Sequence, residues 1–161
     1  MSGAPLSRTV DLAGPEATDA LARLMEPLLR PGDVLLLDGS VGAGKSHFAR
    51  ALIRARHGAE TEVPSPTFTL VQTYGAEGDE IWHSDLYRLS QPDEIVELGL
   101  EDAFTTAITL VEWPDRLGSL TPEGALTLAF RPTREGESRS VTLTGNAGWA
   151  ARLQPLLETL P

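Results

Sequence analysis

The stretch from Gly39 to Ser46, GSVGAGKS, has the residue types and spacing of a phosphate-binding loop. It matches the pattern G-x-x-x-x-G-K-[ST] at every specified position. In such a loop the glycines let backbone N–H groups approach a phosphate. The lysine contacts the β- and γ-phosphates, and the hydroxyl of the last residue ligates Mg²⁺. The stretch therefore predicts nucleotide binding with magnesium, with Lys45 and Ser46 in these two roles.

The residues on either side of the loop predict the strand and the helix that a phosphate loop requires. Residues 33–37 form a short apolar run typical of a buried parallel strand, and residues 47–54 have helical spacing. Lys45 is the single lysine among thirteen basic residues, at a position where a planar guanidinium does not serve. This context favours a functional loop over a chance match. We assign nucleotide binding to Gly39, Gly42, Ala43, Gly44, Lys45, Ser46 and His47.

Two acidic residues follow predicted strands, where a phosphate loop needs a carboxylate to hold Mg²⁺ or to orient water. Glu112 ends the apolar run 107–111 and is the first candidate, as a catalytic and metal-binding residue. Asp85 comes just after the predicted strand 80–84 and is the second, although it could also cap the turn that follows. The pattern leaves open which acid positions the attacking water.

Other polar residues near these positions have less specific interpretations. The hydroxyls of Ser65 and Thr67 lie in a loop after the phosphate-loop helix, where they could sense a γ-phosphate or form a plain turn. His83 is expected to pack on its strand rather than to shuttle protons. The guanine-reading pattern N-K-x-D is impossible with Lys45 as the only lysine, so guanine specificity lacks its usual element.

The remainder of the chain alternates predicted strands with predicted helices. We predict strands at 7–12, 67–74, 80–84, 107–111, 125–131 and 138–144, and helices starting at Pro15 and over 92–98, 101–104 and 147–160. Crossover helices together with two hairpins predict an α/β, phosphate-loop NTPase-like three-layer fold with a mixed sheet that includes antiparallel hairpins. We expect residues 1–161 to form a single phosphate-loop ATPase domain.

Composition limits the classes of function. The 161 residues carry a formal net charge of −10 and no cysteine, which excludes thiolate catalysis and argues against strong direct binding to nucleic acid. No apolar run is long enough for a membrane span, so we expect a cytoplasmic protein. Residues 89–115 contain seven acids and no lysine, arginine or histidine. This segment is either a solvated face or a docking surface for a basic partner.

Five motifs occur in a fixed order over residues 39–118: GSVGAGKS, SPTFTLV, HSDLYRL, ELGLEDAF and VEWPDRLG. Together they resemble the bacterial TsaE family, also called YjeE, a small phosphate-loop ATPase required for making N6-threonylcarbamoyladenosine on tRNA. The resemblance implies that Ser46 and Glu112 are linked to Mg²⁺ and that Asp85 belongs to a switch-like segment. It also implies that Thr67 lies in a mobile loop beside the nucleotide, and that Glu16 and Thr18 approach the adenine.

The resemblance further implies an activity and partners. The protein would be a Mg²⁺-dependent ATPase that uses ATP, releases ADP and is slow until partners stimulate it. Those partners would be a TsaD-like transferase and its TsaB-like companion, which ATP hydrolysis would reset between rounds. Two alternatives remain open: a small-molecule or nucleotide kinase with the same loop, and a nucleotide-binding module whose hydrolysis is incidental.

Overall fold

One mixed β-sheet with helices on both faces is the framework of the protein. The computed structural model describes residues 3–40, 44–64, 70–76, 78–89, 91–133 and 138–160. Within these ranges the strands are β1 (Leu6–Leu12), β2 (Val34–Asp38), β3 (Val71–Tyr74), β4 (Ile81–Asp85), β5 (Ile108–Glu112), β6 (Leu126–Pro132) and β7 (Arg139–Gly145). The α-helices are α1 (Pro15–Met25), α2 (Lys45–His57), α3 (Pro92–Glu97), α4 (Leu100–Thr106), α5 (Ala147–Arg152) and α6 (Gln154–Leu157). Short 3-10 helices cover Glu26–Leu28 and Pro114–Leu120.

The strand order in the sheet is β1-β7-β6-β2-β5-β4-β3. The four strands β6, β2, β5 and β4 are parallel, while β3 pairs with β4, and β7 with both β6 and β1, in antiparallel fashion. The mixed sheet with two hairpins is therefore confirmed. The turn of the second hairpin, residues 134–137, lies outside the described residues.

Two hydrophobic clusters lie on opposite faces of this sheet. Leu35 and Leu37 of β2 pack in a cluster with α1, α2, α5 and α6. Val34 and Leu36 of the same strand pack in a second cluster with α3, α4 and the 3-10 helix that follows β5. Successive side chains of a strand point to opposite faces, so β2 is apolar throughout because both of its faces are covered. The predicted three-layer α/β class is confirmed.

Local residue types explain where helix α2, which follows the predicted phosphate-binding loop, begins and ends. Gly44 has a φ of 112°, a left-handed conformation that glycine adopts without strain, and the helix starts at the next residue. Its buried face carries Phe48, Leu52 and Ile53, at helical spacing. The helix ends at Gly58, after a last turn rich in basic side chains that favour the helix dipole. No helix among the described ranges has the length and apolar character needed to cross a bilayer.

Two predicted elements have different bounds in the structure. The terminal helix expected over 147–160 is wrong as a single element, because α5 and α6 are separated at Leu153. Pro155 has no backbone N–H to donate to an earlier carbonyl, so the helical ladder cannot continue through it. The strand expected over 67–74 starts only at Val71, after Leu70 with a φ of 69°; residues 67–69 lie outside the described part.

We predict that Phe130→Ala destabilises the fold by about 3–5 kcal/mol, because truncation leaves a cavity between β6 and α2. The Phe130 ring is fully buried, and its centroid lies 5.7 Å from that of Phe48. Urea unfolding measures the loss of stability. The control Leu24→Ala truncates a side chain that is 41% exposed and should change stability by less than about 0.5 kcal/mol. A loss below about 1 kcal/mol in Phe130→Ala would contradict the packing described.

Candidate functional site

Three acidic residues meet where parallel strands end at one edge of the sheet. Asp38 is the last residue of β2, Glu112 of β5 and Asp85 of β4. The strand register places Glu112 beside Asp85 on one side and Leu37 on the other. Helix α2 begins at this edge, so the tertiary fold brings Ser46 to Glu112 across 66 positions of sequence. Ligands of open α/β sheets bind at the carboxyl ends of strands, which makes this edge the candidate site.

Glu112 is a buried carboxylate with a hydrogen bond to each oxygen. Its Oε1 accepts from the Ser46 hydroxyl at 2.9 Å, and its Oε2 lies 2.6 Å from His83 Nε2. Burial acts to raise the pKa of Glu112, but the hydrogen bond and charge of His83, the hydrogen bond from Ser46 and the charge of Lys45 outweigh it, so the pKa lies below its ordinary value. Glu112 is therefore ionised at neutral pH.

Lys45 is buried beside this carboxylate. Its side-chain nitrogen lies 3.8 Å above the centroid of the Trp113 ring, a cation–π contact, and has no hydrogen-bond partner among the residues that the structure describes. Burial lowers the pKa of Lys45, while nearby carboxylates, of which Glu112 and Asp85 act most strongly, oppose that shift. An ammonium with unused donors in a buried position suits a phosphate ligand.

Trp113 has a backbone conformation that is uncommon for its residue type. Its φ of 59° and ψ of 54° are left-handed, between the end of β5 and Pro114. This conformation directs the chain away from the strand while the indole remains against Lys45. The indole also contacts the ring of Tyr87, whose centroid is 4.9 Å away and whose side chain is half exposed. The two rings thus link Lys45 to the protein surface.

Asp85 caps the turn after β4, which is one of the two roles that the sequence allowed. Its Oδ1 accepts a hydrogen bond from the backbone N–H of Tyr87 at 2.9 Å. Its own backbone N–H donates to the carbonyl of Leu70 at 3.0 Å, and the N–H of Leu86 donates to the carbonyl of Glu112 at 3.1 Å. Because its charge also acts on Lys45, Asp85 belongs to the same electrostatic site.

Of the other residues predicted to bind nucleotide, the structure places some near the start of α2 and leaves others undescribed. His47, in the first turn of α2, contacts Asp19 of α1 at 2.8 Å, so the starts of the two helices lie side by side. A pocket of about 300 Å³ between these helices is lined by both residues. Thr18 is buried in α1, whereas Glu16 is exposed. Gly39 has a φ of 142°, as a tight loop entry requires, while Gly42, Ala43, Ser65 and Thr67 lie outside the described residues.

The residues present fit a magnesium ion held together with a nucleotide. Within the described ranges, no group of three or more His, Cys, Asp or Glu side chains could form a metal cage. Magnesium commonly binds through one or two protein oxygens and otherwise through water and substrate phosphates. The Ser46 hydroxyl and the Glu112 carboxylate are such oxygens, and the buried ammonium of Lys45 complements the phosphates.

The fold and the site define an α/β protein of the phosphate-loop NTPase-like class. A family model described as "Threonylcarbamoyl adenosine biosynthesis protein TsaE" matches residues 12–141. The chain belongs to the TsaE family. The family resemblance of its five motifs is therefore confirmed.

Similar proteins extend this comparison. A TsaE protein of Bacillus subtilis is 36% identical over 138 residues, covering 85% of this chain and 83% of that relative. A Rickettsia bellii relative is 42% identical and covers 72% of this chain and 80% of its own length. The Rickettsia conorii relative is 47% identical over 100 residues, but the chain spans only 57% of its length. The crystal structure of Bacillus subtilis YdiB matches with a TM-score of 0.74 at 26% identity and covers 98% of this chain and 97% of that one.

Two residues of the site were not predicted as such from the sequence. The sequence indicates only that His83 packs on its strand, but this side chain contacts Glu112. It indicates no role for Trp113, whose ring contacts Lys45. One signal was available for His83: it lies two residues before Asp85 in a strand, and therefore faces the same side of the sheet. Nothing local signals that the Trp113 ring contacts Lys45.

We predict that Glu112→Gln flattens the acid limb of the stability profile. Because the pKa of folded Glu112 lies below 4.5, its charge contributes stability that is present above about pH 4.5 and lost as the pH falls through the folded-state pKa. Each unit by which folding lowers the pKa of Glu112 adds about 1.4 kcal/mol to the free energy of unfolding when the group is ionised. Urea unfolding from about pH 6 to pH 3.5 should show wild type losing stability relative to the variant. Parallel profiles would contradict this, and Glu123→Gln, at an exposed carboxylate, is the control.

Proposed function

We propose that this protein is a Mg²⁺-dependent ATPase that acts as an accessory protein in making N6-threonylcarbamoyladenosine on tRNA. The observation that carries the proposal is the contact between Ser46 and Glu112 at 2.9 Å, in a chain of the TsaE family. The relatives from Bacillus subtilis and Rickettsia bellii are both named tRNA threonylcarbamoyladenosine biosynthesis protein TsaE. A role in tRNA modification implies work in the cytoplasm.

Binding of the nucleotide is divided between the backbone and side chains. The N–H groups of the glycine-rich loop and the start of α2 hold phosphate oxygens, and the buried ammonium of Lys45 adds the positive charge that they require. Ser46 and Glu112 are the residues that would hold Mg²⁺. When bound, the ion neutralises charge that develops on the phosphate oxygens during transfer. His47 and the nearby α1 residues Glu16 and Thr18 are assigned to the nucleoside side of the site.

Hydrolysis requires a water molecule to attack the γ-phosphorus as the bond to the bridging oxygen breaks, which releases ADP and phosphate. Lys45, Glu112 and Asp85 are three charged groups at this position, and each of them is buried. Their buried charges are partly shielded from water, so their electrostatic effect on the phosphates is stronger than at a surface. No dedicated general base is required, because phosphoryl transfer depends mainly on positioning and on charge stabilisation.

The partner proteins in this proposal are a TsaD-like transferase and its TsaB-like companion. The acidic segment, residues 89–115, supports a docking role on α3 and α4. Ile95 and Leu100 are buried in the core, so the exposed side chains of these helices form the outer surface. That surface carries the exposed acids Asp93, Glu97, Glu101 and Asp102, and Val96, which is 54% exposed. Charge of one sign around an apolar side chain suits a basic, partly apolar partner surface.

We predict that Lys45→Ala and Ser46→Ala abolish ATP hydrolysis, and that Lys45→Ala also weakens nucleotide binding about 10- to 150-fold. That range corresponds to a lost charge-assisted hydrogen bond of about 1.5–3 kcal/mol. Lys45→Arg should fail as well, because a guanidinium is a planar fork and not a point charge. Phosphate release and calorimetric titration with ADP are the measurements.

The control for these variants is Arg30→Ala, which removes an exposed cation before β2, at the opposite end of that strand from the site. It should retain hydrolysis and nucleotide affinity. Wild-type ADP affinity in Lys45→Ala would contradict the proposed phosphate site. Equal hydrolysis of GTP and ATP would contradict the proposed use of adenine nucleotides. Transfer of the γ-phosphate to a small molecule in place of release would instead identify a kinase.

We predict that partner proteins stimulate hydrolysis, and that Glu97→Lys combined with Glu101→Lys reduces both partner binding and stimulation about tenfold at low salt. ADP binding should be unchanged, because both residues are exposed on α3 and α4. Reconstitution with TsaD-like and TsaB-like proteins provides the measurements: ATP turnover, binding by calorimetry, and formation of modified tRNA.

The matched control is Glu123→Lys combined with Glu158→Lys, which reverses two exposed acids outside the acidic segment. It makes the same change in net charge, so a general electrostatic effect would appear equally in both double variants. Equal behaviour of the two would show that the acidic segment is only a solvated face. A loss of ADP binding in the Glu97 and Glu101 variant would indicate damage to the fold.

A further inference from the structure

We propose that His83 is a positioning residue: it fixes the Glu112 carboxylate so that this acid acts on the metal side of the site through Ser46. The inference rests on the proposed function, since it assigns a role within Mg²⁺-dependent hydrolysis. It also bears on which acid positions the attacking water, a choice that the sequence left open.

The contact between the two side chains is short and closed to solvent. His83 Nε2 lies 2.6 Å from Glu112 Oε2, and the two side chains are only 2% and 3% exposed. They come from the neighbouring parallel strands β4 and β5, near the strand ends where Asp85 lies beside Glu112. A hydrogen bond to a carboxylate at this distance is charge-assisted, and exclusion of water strengthens it. The pair is therefore suited to holding one orientation of the carboxylate.

The other nitrogen of His83 indicates how the ring is used. Nδ1 is buried and has no hydrogen-bond partner among the residues that the structure describes. The carboxylate oxygen of Glu112 is an acceptor, so the contact requires Nε2 to carry a hydrogen and to donate it. Among the described residues the ring is therefore held by a single hydrogen bond, the one that it donates to Glu112.

Each carboxylate oxygen of Glu112 accepts a hydrogen bond from a different side chain. Oε2 is engaged by His83 and Oε1 by the hydroxyl of Ser46, which is itself a candidate metal ligand. Holding a glutamate side chain in one rotamer costs conformational entropy, so it requires partners. His83 is the partner of Oε2, the oxygen that does not contact Ser46. A carboxylate with both oxygens hydrogen-bonded in this way would orient Ser46 toward a metal ion. It is poorly placed to abstract a proton from water.

The decisive experiment compares His83→Ala, His83→Gln and His83→Asn. A glutamine amide N–H lies near the position of Nε2, whereas an asparagine amide lies near that of Nδ1, so only glutamine can restore the donor. We expect His83→Ala and His83→Asn to lower kcat about 10- to 100-fold with KM changed less than about twofold. His83→Gln should recover most of the loss. ATP affinity without metal should be unchanged in all three, while its enhancement by Mg²⁺ falls in the alanine and asparagine variants.

Ser84→Ala is the control, because Ser84 is the next residue in β4 and is fully buried, but its hydroxyl makes no hydrogen bond to Glu112 or to any other described residue. It should retain the wild-type kcat and the wild-type enhancement by Mg²⁺. Wild-type kcat in His83→Ala would overturn the inference. So would equal losses in the glutamine and asparagine variants, because a merely structural role predicts no preference for a donor at Nε2.

A measurement on the nucleotide-free protein separates this inference from the proposed function. In ¹⁵N–¹H spectra, the His83 Nε2–H should give a resonance protected from solvent exchange, and Glu112→Gln should shift it because the charged acceptor is lost. A missing or unshifted resonance would overturn the inference even if wild type hydrolyses ATP. If the resonance is present but wild type hydrolyses no ATP, the proposed function fails, and the positioning role fails with it.

Discussion

A carboxylate that is removed from water must be given hydrogen bonds, and this constraint on Glu112 organises the site. Burying an ion costs several kcal/mol, which only well-placed partners offset. Glu112 obtains them from Ser46, at the start of α2, and from His83 on the neighbouring strand. Both partners are correctly placed only if β4, β5 and α2 keep their relative positions. The packing of the sheet and the chemistry of its edge therefore depend on each other.

Lys45 introduces a second buried charge, and its needs are met only in part. The nearby carboxylates and the face of the Trp113 ring stabilise the ammonium against the cost of burial. Its hydrogen-bond donors have no acceptor among the described residues. Glu112 has its hydrogen bonds, whereas the ammonium of Lys45 still has donors to offer. A negatively charged ligand such as a phosphate would accept from these donors.

The distribution of charge gives the two faces of the sheet different characters. Helix α2 contains three arginines and no acid, and it packs on the face that also carries α1. Helices α3 and α4 carry exposed acids and pack on the opposite face. The edge with Lys45 and Glu112 lies between these faces, and the Tyr87 and Trp113 rings form a continuous contact from the surface to Lys45.

Local patterns in the sequence were sufficient to predict the strand and the helix on either side of the glycine-rich loop, the mixed sheet, and Glu112 as a strand-end acid. These features depend on short-range periodicity, glycine conformation and residue type, all of which can be read along the chain. The break of the last helix before Pro155 is also readable from the sequence, because proline has no backbone N–H to donate. Only the tertiary structure decided that His83 contacts Glu112, that the Trp113 ring contacts Lys45, and that Asp85 caps a turn. These contacts join residues on different strands and helices, and their distances depend on sheet register and side-chain packing, which no single segment encodes.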